Sequence, residues 1–185
     1  MHGLIVRLVH RIRRHFRIQG QAPTVQWKQN DFALERSINE ALSIAQKYGV
    51  VIPEDVTFFV AEPGELKGSL RKLLSGQDFE SARGPGVTEH KDGRIYWQDH
   101  FNKYGKIPFQ IHPDILTSDE AIVAVFQHEM HELLLLRRVF MLSQSRTMDA
   151  ADYGIQVSTR RPGNFHDRAW SEADKRVLHM RRASG

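Results

Sequence analysis

Beyond the first 26 residues, apolar positions recur at helical spacing in three stretches of the chain, which are residues 32–48, residues 118–142 and the segment from Phe165 onward. A repeat every three or four residues places these side chains on one face of an α-helix. Gly49 follows the first stretch and is expected to end that helix, because glycine readily adopts the left-handed conformation of a C-terminal cap. Residues 65–74 predict a further, short helix.

The strand-like runs are shorter and lie between these helices. Residues 56–61 predict one strand, and residues 94–98 and 106–111 predict the two strands of a β-hairpin. Proline has no N–H to donate to a sheet, so Pro108 places the second hairpin strand at the sheet edge. The glycine-rich, polar residues 77–93 predict a long surface loop.

The stretch 121–136 is apolar in nearly every direction around a helix, which is typical of a buried helix. Thr117 is the expected N-cap of this helix, and Glu120, three residues later, completes a capping box. The sequence therefore predicts an α+β fold. A central buried helix is expected to pack against a small antiparallel sheet that contains the hairpin, with further helices on its flanks.

Four ionisable side chains interrupt the apolar run of the central helix, in the sequence His128-Glu129-Met130-His131-Glu132. On a helix, His128, His131 and Glu132 share one face, while Glu129 points about 100° away from His128. These three side chains need partners, because an unpaired polar or charged group inside a protein costs several kcal/mol. A divalent metal ion would satisfy all three, with Glu129 beside it as a general base.

The start of the last helix carries a second group of candidate residues. His166 lies there and can supply the remaining ligand of a metal site. The predicted ligands are drawn from four side chains, namely His128, His131, Glu132 and His166. Three further side chains are candidates to orient a ligand imidazole through a hydrogen bond, namely His112, Asp167 and Asp174.

Composition narrows the chemistry of such a site. A chain of 185 residues is long enough for one domain with its own core. It contains no cysteine, so disulfides and thiolate ligands are excluded and a metal site must use His, Asp and Glu. Imidazoles with a carboxylate are typical zinc ligands, so a divalent metal, with zinc as the first choice, is the expected cofactor. No apolar run reaches the length of a transmembrane span.

The net charge of +4 is distributed unevenly along the chain. Residues 1–30 carry six basic and no acidic residues, whereas residues 31–156 carry 13 basic and 19 acidic residues. We divide the chain into a basic amphipathic arm, residues 1–26, and a single α+β domain, residues 27–185. Residues 1–20 are suited to contact an acidic surface. Because the body is net negative, the basic isoelectric point of the whole chain is no argument that the core binds nucleic acid.

The sequence His128-Glu129-Met130-His131-Glu132 resembles the H-E-x-x-H motif of zincin metallopeptidases, with Glu132 at the position of the second family histidine. The resemblance implies that Glu129 is the catalytic base and that an edge strand holds an extended peptide. Residues 107–133 and 163–174 also resemble C-terminal domains of bacterial polymorphic toxins and effectors. That likeness covers roughly residues 80–180 and implies an immunity protein as a partner.

These observations favour a metal-dependent hydrolase with zincin-like chemistry, in the setting of a bacterial toxin or effector domain. A peptide or protein substrate is favoured over nucleic acid. One alternative is a metal-dependent nuclease toxin that its basic ends steer to nucleic acid. Another is a non-catalytic interaction domain in which the His–Glu cluster forms a buried hydrogen-bond network. The absence of cysteine leaves the compartment open, so we expect a soluble protein that is either cytoplasmic or delivered as an effector.

Overall fold

The computed structural model describes residues 25–28, 35–74, 79–157 and 161–185. These segments form five α-helices and five short strands, which confirms the predicted α+β class. Most of the predicted arm, residues 1–24, lies outside the described part of the chain. No helix of the described segments is long and apolar enough to cross a membrane.

The elements follow the predicted order of helices, with shorter strands between them. The helices are α1 (Ile38–Lys47), α2 (Leu70–Leu74), α3 (Asp119–Leu142), α4 (Ala150–Val157) and α5 (Phe165–Ser184). The strands are β1 (Val56–Val60), β2 (Ala82–Arg83), β3 (Arg94–Tyr96), β4 (Ile107–Ile111) and β5 (Thr147–Asp149). Two 3₁₀ turns, Trp97–His100 and Pro113–Thr117, lie on either side of β4.

Helix α1 is defined at both ends by its local sequence. The Ser37 hydroxyl accepts the N–H of Glu40, whose carboxylate accepts the N–H of Ser37 at 2.8 Å, and this capping box sets the first turn. Gly49 ends the helix as predicted, with a φ angle of 83° that favours glycine. A Cβ atom at Gly49 would lie 2.6 Å from Nη1 of Arg176, so a larger residue there would also displace the end of that side chain.

Strand β4 is the middle strand of a three-stranded mixed sheet, in the order β1-β4-β2. Strands β1 and β4 run parallel, with Val56 opposite Ile107 at the start of the pair. Strand β2 pairs antiparallel with the last two residues of β4. The ring of Phe58 on β1 stacks on Phe126 of α3, at 4.4 Å between centroids. This contact packs the sheet against the central helix.

The predicted hairpin between residues 94–98 and 106–111 is wrong. Strand β3 pairs antiparallel with β5, with Ile95 opposite Met148, and β4 belongs to the other sheet. Strand β5 follows α3 in the chain, so the central helix separates the two partners in sequence. Pairing over such a distance leaves no signal in a local sequence pattern, whereas two neighbouring strand-like runs suggest a hairpin.

The turn of the predicted hairpin does form, although its strands do not pair. The side chain of Asn102 accepts hydrogen bonds from the N–H groups of Tyr104 and Lys106, at 2.9 and 3.1 Å. Before it, the carboxylate of Asp99 accepts the N–H of Tyr96 at 3.0 Å. This bond caps a 3₁₀ turn and ends β3 early, so the chain leaves the strand direction before it reaches the turn.

Pro108 lies in a middle strand and not, as predicted, in an edge strand. The N–H of Ile107 points to β1, where it donates to the carbonyl of Asp55 at 2.7 Å. Backbone N–H groups alternate in direction along a strand, so the nitrogen of Pro108 faces the other side. Strand β2 covers that side only at Gln110 and Ile111. The missing N–H therefore removes no bond from the ladder.

Helix α3 runs through the core, as its apolar sequence predicts. Five apolar residues in its first half have no exposed surface, namely Ala121, Ile122, Val123, Val125 and Phe126. Its N-cap is Ser118, whose hydroxyl accepts the N–H of Ala121, and not the predicted Thr117. Thr117 ends the preceding 3₁₀ turn, where its hydroxyl donates to the carbonyl of Asp114 at 2.7 Å.

Glu120 does not complete a capping box, because its carboxylate has other donors. It accepts the N–H of Lys28 at 2.6 Å and two bonds from the guanidinium of Arg181, at 2.8 and 2.7 Å. Burial alone would raise the pKa of Glu120, but these hydrogen bonds and positive charges hold it below its usual value. The contact joins the segment 25–28 to α3 and α5.

Candidate metal site

Three side chains that can bind a metal ion meet where α3 passes the first turn of α5. Nδ1 of His166 lies 3.0 Å from Oε2 of Glu132, and Nε2 of His128 lies 3.8 Å from the same oxygen. The three donor atoms all lie within 4.8 Å of one another. The structure thus brings together three of the four side chains that the sequence suggests as ligands.

Local structure explains why these side chains converge. His128 and Glu132 are one turn apart on α3, so they project from the same side of the helix, and the His128 side chain is only 3% exposed. The start of α5 is fixed by Asn164, whose side-chain oxygen accepts a first-turn N–H at 2.7 Å. The Asn164 amide also donates to the carbonyl of Ile155 at 2.9 Å. The turn that carries His166 is thereby tied to α4.

Trp170, one turn after His166 on α5, contacts both imidazoles of the cluster. Its indole N–H donates to Nε2 of His166 at 3.2 Å, and its ring lies 4.1 Å from that of His128 between centroids. Because Nε2 of His166 accepts this bond, the ring proton of the neutral imidazole is on Nδ1. Nδ1–H therefore donates to the carboxylate of Glu132, and both nitrogens of His166 are engaged.

The donor set fits zinc in kind and nearly in spacing. Two imidazoles and a carboxylate are a common ligand set of catalytic zinc. Tetrahedral coordination at about 2.1 Å puts donor atoms roughly 3.4 Å apart, and the observed separations of 3.0 and 3.8 Å lie on either side of that value. Coordination through Nδ1 of His166 would shift the ring proton to Nε2, so the Trp170 N–H would lose its present acceptor.

His131 lies outside this cluster, although the helical repeat puts it on the face of His128. A residue three positions along a helix lies roughly 60° around the axis from the first. This rotation is enough to direct His131 to the flank of α3. There it lies near the charges of Glu172 and Arg168 on α5. Partial burial lowers the pKa of the His131 imidazole, and the Glu172 carboxylate opposes that shift.

Glu129 lies at the side of the cluster, with Oε1 at 3.9 Å from Nε2 of His128. Burial, and then the nearby carboxylate of Glu132, raise the pKa of Glu129 well above the usual value for a glutamate. The side chains of Glu129 and Glu132 both line a cavity of about 270 Å³. These two residues thus connect the ligand cluster to a space that can hold a small substrate group.

The remaining wall of this cavity is mostly apolar. Its apolar side chains come from the segment after β2, from β4 and from α3 and α4, and are Pro85, Val87, Phe109, Leu133, Leu136 and Val157. One cationic side chain, Arg83, lies at the wall. Its guanidinium is held by the carboxylate of Glu80, at 2.9 and 3.0 Å.

His100 and Tyr153 also line the cavity, although the sequence pattern predicts a site role for neither of them. Nδ1–H of the buried His100 donates to the carbonyl of Trp97 at 3.0 Å, and Nε2 accepts the Tyr153 hydroxyl at 3.3 Å. Burial lowers the pKa of His100, while burial and the charge of Glu132 raise the pKa of Tyr153. The long-range pairing of β3 with β5 brings them together, and no local motif signals that pairing.

The three side chains predicted to orient a ligand imidazole make hydrogen bonds with backbone groups. The carboxylate of Asp167 accepts a backbone N–H just before α5 at 3.0 Å. Asp174 accepts a backbone N–H of the segment 25–28 at 3.2 Å. His112 caps the 3₁₀ turn before α3 by accepting a backbone N–H at 3.1 Å. Trp170 donates a hydrogen bond that orients the imidazole of His166 from outside the ligand set.

No protein-family model, curated protein or solved structure matches this chain. The fold and the site therefore define its class by themselves: an α+β protein with a His–Glu–His cluster that can hold a metal ion. The likeness of its motifs to zincins and to toxin domains stays a prediction from the sequence.

Proposed function

We propose that this protein is a metal-dependent hydrolase in which His128, Glu132 and His166 bind a zinc ion and Glu129 is the general base. The observation that carries the proposal is the convergence of three donor atoms within 4.8 Å of one another. Glu132, one of the three ligands, also lines the adjacent cavity. A ligand cluster that opens onto a cavity is what a catalytic metal needs and a purely structural metal does not.

A bound zinc ion would supply Lewis acidity, which polarises a substrate carbonyl and makes water easier to deprotonate. Glu129 lines the cavity beside the cluster and would take a proton from the attacking water. The protonated side chain of Glu129 would then give that proton to the leaving group.

The cavity chemistry supports a peptide or protein substrate over nucleic acid. Its wall is mostly apolar, and the one cation in it, Arg83, is already paired with Glu80. Glu129 and Glu132 add acidic groups beside it. Phosphate groups need cations or N–H donors, so this cavity suits an uncharged side chain better than a phosphodiester. Unchanged DNA and RNA after incubation with the protein and Mg²⁺, Mn²⁺ or Zn²⁺ would agree with this preference.

The test is hydrolysis of a mixed peptide library by the zinc-loaded full chain and by Glu129→Gln. Removal of a general base should lower the rate by about 100-fold or more, while the zinc content stays unchanged because Glu129 is not a ligand. Glu172→Gln, which removes an exposed carboxylate of α5, is the matched control and should keep full activity. Equal hydrolysis by Glu129→Gln and wild type would contradict the proposed role of Glu129. If the zinc-loaded wild type hydrolyses no peptide, the proposal that the protein is a metal-dependent peptide hydrolase is contradicted.

A second candidate is a non-catalytic interaction domain with a buried hydrogen-bond network. The specific observation that favours it is a continuous series of hydrogen bonds, from the indole N–H of Trp170 through His166 to Glu132. Both imidazole nitrogens of His166 have a hydrogen-bond partner in this series. In that case, His166→Ala should lower the melting temperature by the same amount with and without chelator. The metal site predicts instead that chelator destabilises the wild type and leaves His166→Ala nearly unchanged.

From the motif likeness we also propose the setting of a bacterial toxin or effector domain with an immunity protein as its partner. Expression of the full chain in bacteria tests this setting directly. Growth arrest by the wild type that Glu129→Gln relieves would support it. Normal growth at equal protein levels, with the chain directed either to the cytoplasm or to the periplasm, would contradict it.

A further inference from the structure

The segment 25–28 crosses α3 and α5 and is held mainly through its backbone. Four hydrogen bonds connect it to side chains at the start of α3 and along α5. They join Val25 N–H to Asp174, Gln26 C=O to Arg181, Lys28 N–H to Glu120 and Lys28 C=O to Ser118, at 3.2, 2.6, 2.6 and 2.7 Å. This arrangement fixes the position of one buried side chain, Trp27.

Trp27 is 4% exposed, and its ring lies 6.1 Å from that of Trp170 between centroids. Its indole N–H has no hydrogen-bond partner among the described residues. A buried donor without an acceptor is unfavourable, so the polar atom of Trp27 does not explain its place. Its ring contacts within the core explain it, and the backbone bonds of the segment hold it there.

Trp170 links Trp27 to the candidate ligands. Its ring lies beside Trp27 on one side and 4.1 Å from His128 on the other, and its N–H donates to His166. We propose that Trp27 is a positioning residue for the candidate metal site, which acts through Trp170 to hold the imidazoles of His128 and His166. The inference rests on the proposed function only in so far as these imidazoles are taken as metal ligands.

The physical reason is the packing of two large rings. Without the Trp27 ring, Trp170 has room to tilt away from His166, and its N–H no longer points at Nε2. The proton of His166 is then free to occupy either ring nitrogen. The orientation of the His128 ring also loosens, because Trp170 covers its face. A smaller aromatic ring at residue 27 would still fill most of this space.

The first test needs no metal. Imidazole proton–nitrogen NMR spectra of the metal-free full chain report which nitrogen of His166 carries the proton. We expect the Nδ1–H form alone in the wild type and a mixture of both forms in Trp27→Ala. Trp27→Phe should restore the wild-type spectrum, because it keeps an aromatic ring and removes the N–H that has no acceptor. Identical His128 and His166 signals in the wild type and Trp27→Ala would overturn the proposal.

Ile95→Ala is the control for a general loss of stability. Ile95 is 4% exposed and lies on β3, in the two-stranded sheet. We expect this variant to melt at a lower temperature but to keep the imidazole signals of the wild type. If Ile95→Ala disturbs the His166 signals as much as Trp27→Ala does, Trp27 has no specific positioning role and the proposal is overturned.

The second test is zinc affinity, measured by competition with a chromophoric chelator. The ring of Trp170 orients the His128 ligand by packing on it. Loss of a group that orients a ligand weakens metal binding by about 10-fold or more, so Trp27→Ala should show that loss through His128 and Trp27→Phe should not. If the wild type binds no zinc, the proposed function fails and the NMR spectra still decide the positioning role. If the wild type and Trp27→Ala bind zinc equally and their spectra agree, the positioning role fails and the metal site stands.

Discussion

Nδ1 of His166 on α5 lies 3.0 Å from Oε2 of Glu132 on α3, so a proton now occupies the place that a metal ion would take. Trp170 sets the direction of this contact, because its N–H on the far side of the imidazole leaves the proton on Nδ1. A metal site and a hydrogen-bond network share this geometry in the absence of metal. They differ in what happens when zinc is added.

Zinc binding should break the hydrogen bond between Trp170 and His166. Coordination through Nδ1 leaves the proton on Nε2, which can no longer accept the indole N–H. We expect the indole N–H signal of Trp170 to shift as zinc is added, in step with zinc uptake, while the signal of Trp97, in the 3₁₀ turn after β3, stays unchanged. Zinc uptake with an unchanged Trp170 signal would show that Nδ1 of His166 is not a ligand.

Trp170→Phe tests the same relationship from the other side. The variant removes the N–H donor and keeps an aromatic ring beside His128, so His166 can place its proton on Nε2 without losing a bond. We expect zinc affinity equal to or higher than that of the wild type by competition titration. A large loss of affinity would instead show that the hydrogen bond from Trp170 supports the metal-binding form of His166.

The two histidines of α3 should differ in their effect on metal binding. His128→Ala removes a donor of the cluster and should abolish tight zinc binding, whereas His131→Ala should leave the affinity within about 3-fold, because His131 lies outside the cluster. Competition titrations of both variants make the comparison. Equal losses would show that His131 moves into the site when metal binds, as the helical repeat alone predicts.

The sequence predicts the long elements well because their signals are local. The apolar run of α3, the repeat of α5 and the stop at Gly49 each depend on residues close together in the chain. The same holds for the pair His128 and Glu132, since residues four apart on a helix share a face whatever surrounds them. His166 was predicted from its residue type and its place at a helix start, and the packing of α5 on α3 brings it to the pair.

The sequence does not predict the features that depend on contacts between residues far apart in the chain. Strand β3 pairs with β5 across the whole length of α3, so the pattern around β3 suggested a hairpin with β4 instead. The same pairing brings His100 to Tyr153 in the cavity wall. Glu120 has the spacing of a capping box, but Lys28 and Arg181 offer it stronger donors from distant parts of the chain.

Glu120→Gln should lower the free energy of unfolding by about 2 kcal/mol, because it weakens charged hydrogen bonds to Arg181 and Lys28. The folded-state pKa of Glu120 lies below its usual value of 4.5. The contribution of the ionised Glu120 carboxylate to the free energy of unfolding is therefore fully present above pH 4.5. It is lost as the pH falls through the lowered pKa. Urea unfolding at neutral and acidic pH measures both effects.

The control for this change is Glu172→Gln. Glu172 pairs with the exposed Lys175 three residues later on α5, at 2.6 Å. Exposed pairs of this kind contribute little, so the unfolding free energy should change by about 0.5 kcal/mol or less. If Glu172→Gln proves as destabilising as Glu120→Gln, the anchoring of the segment 25–28 contributes nothing specific to stability.

Phe126→Ala should be among the most destabilising single changes in α3. Its side chain is 0% exposed and stacks on Phe58 at 4.4 Å, so truncation leaves a cavity between the helix and the sheet. Comparable Phe→Ala changes cost about 3–5 kcal/mol. Leu134→Ala, at a 42% exposed position of the same helix, should cost about 1 kcal/mol or less. Similar melting temperatures for the two variants would contradict the packing described for α3.

The most direct test of the metal site is elemental analysis of the full chain, purified without a histidine tag and reloaded with zinc, beside three variants. We expect about one zinc ion per chain in the wild type and in Glu129→Gln, and none above background in His128→Ala and Glu132→Ala. This result would establish a site whose neighbouring Glu129 is not a ligand. A wild type that binds no zinc, manganese or other divalent metal under these conditions would contradict the metal site and leave the hydrogen-bond network as the role of the cluster.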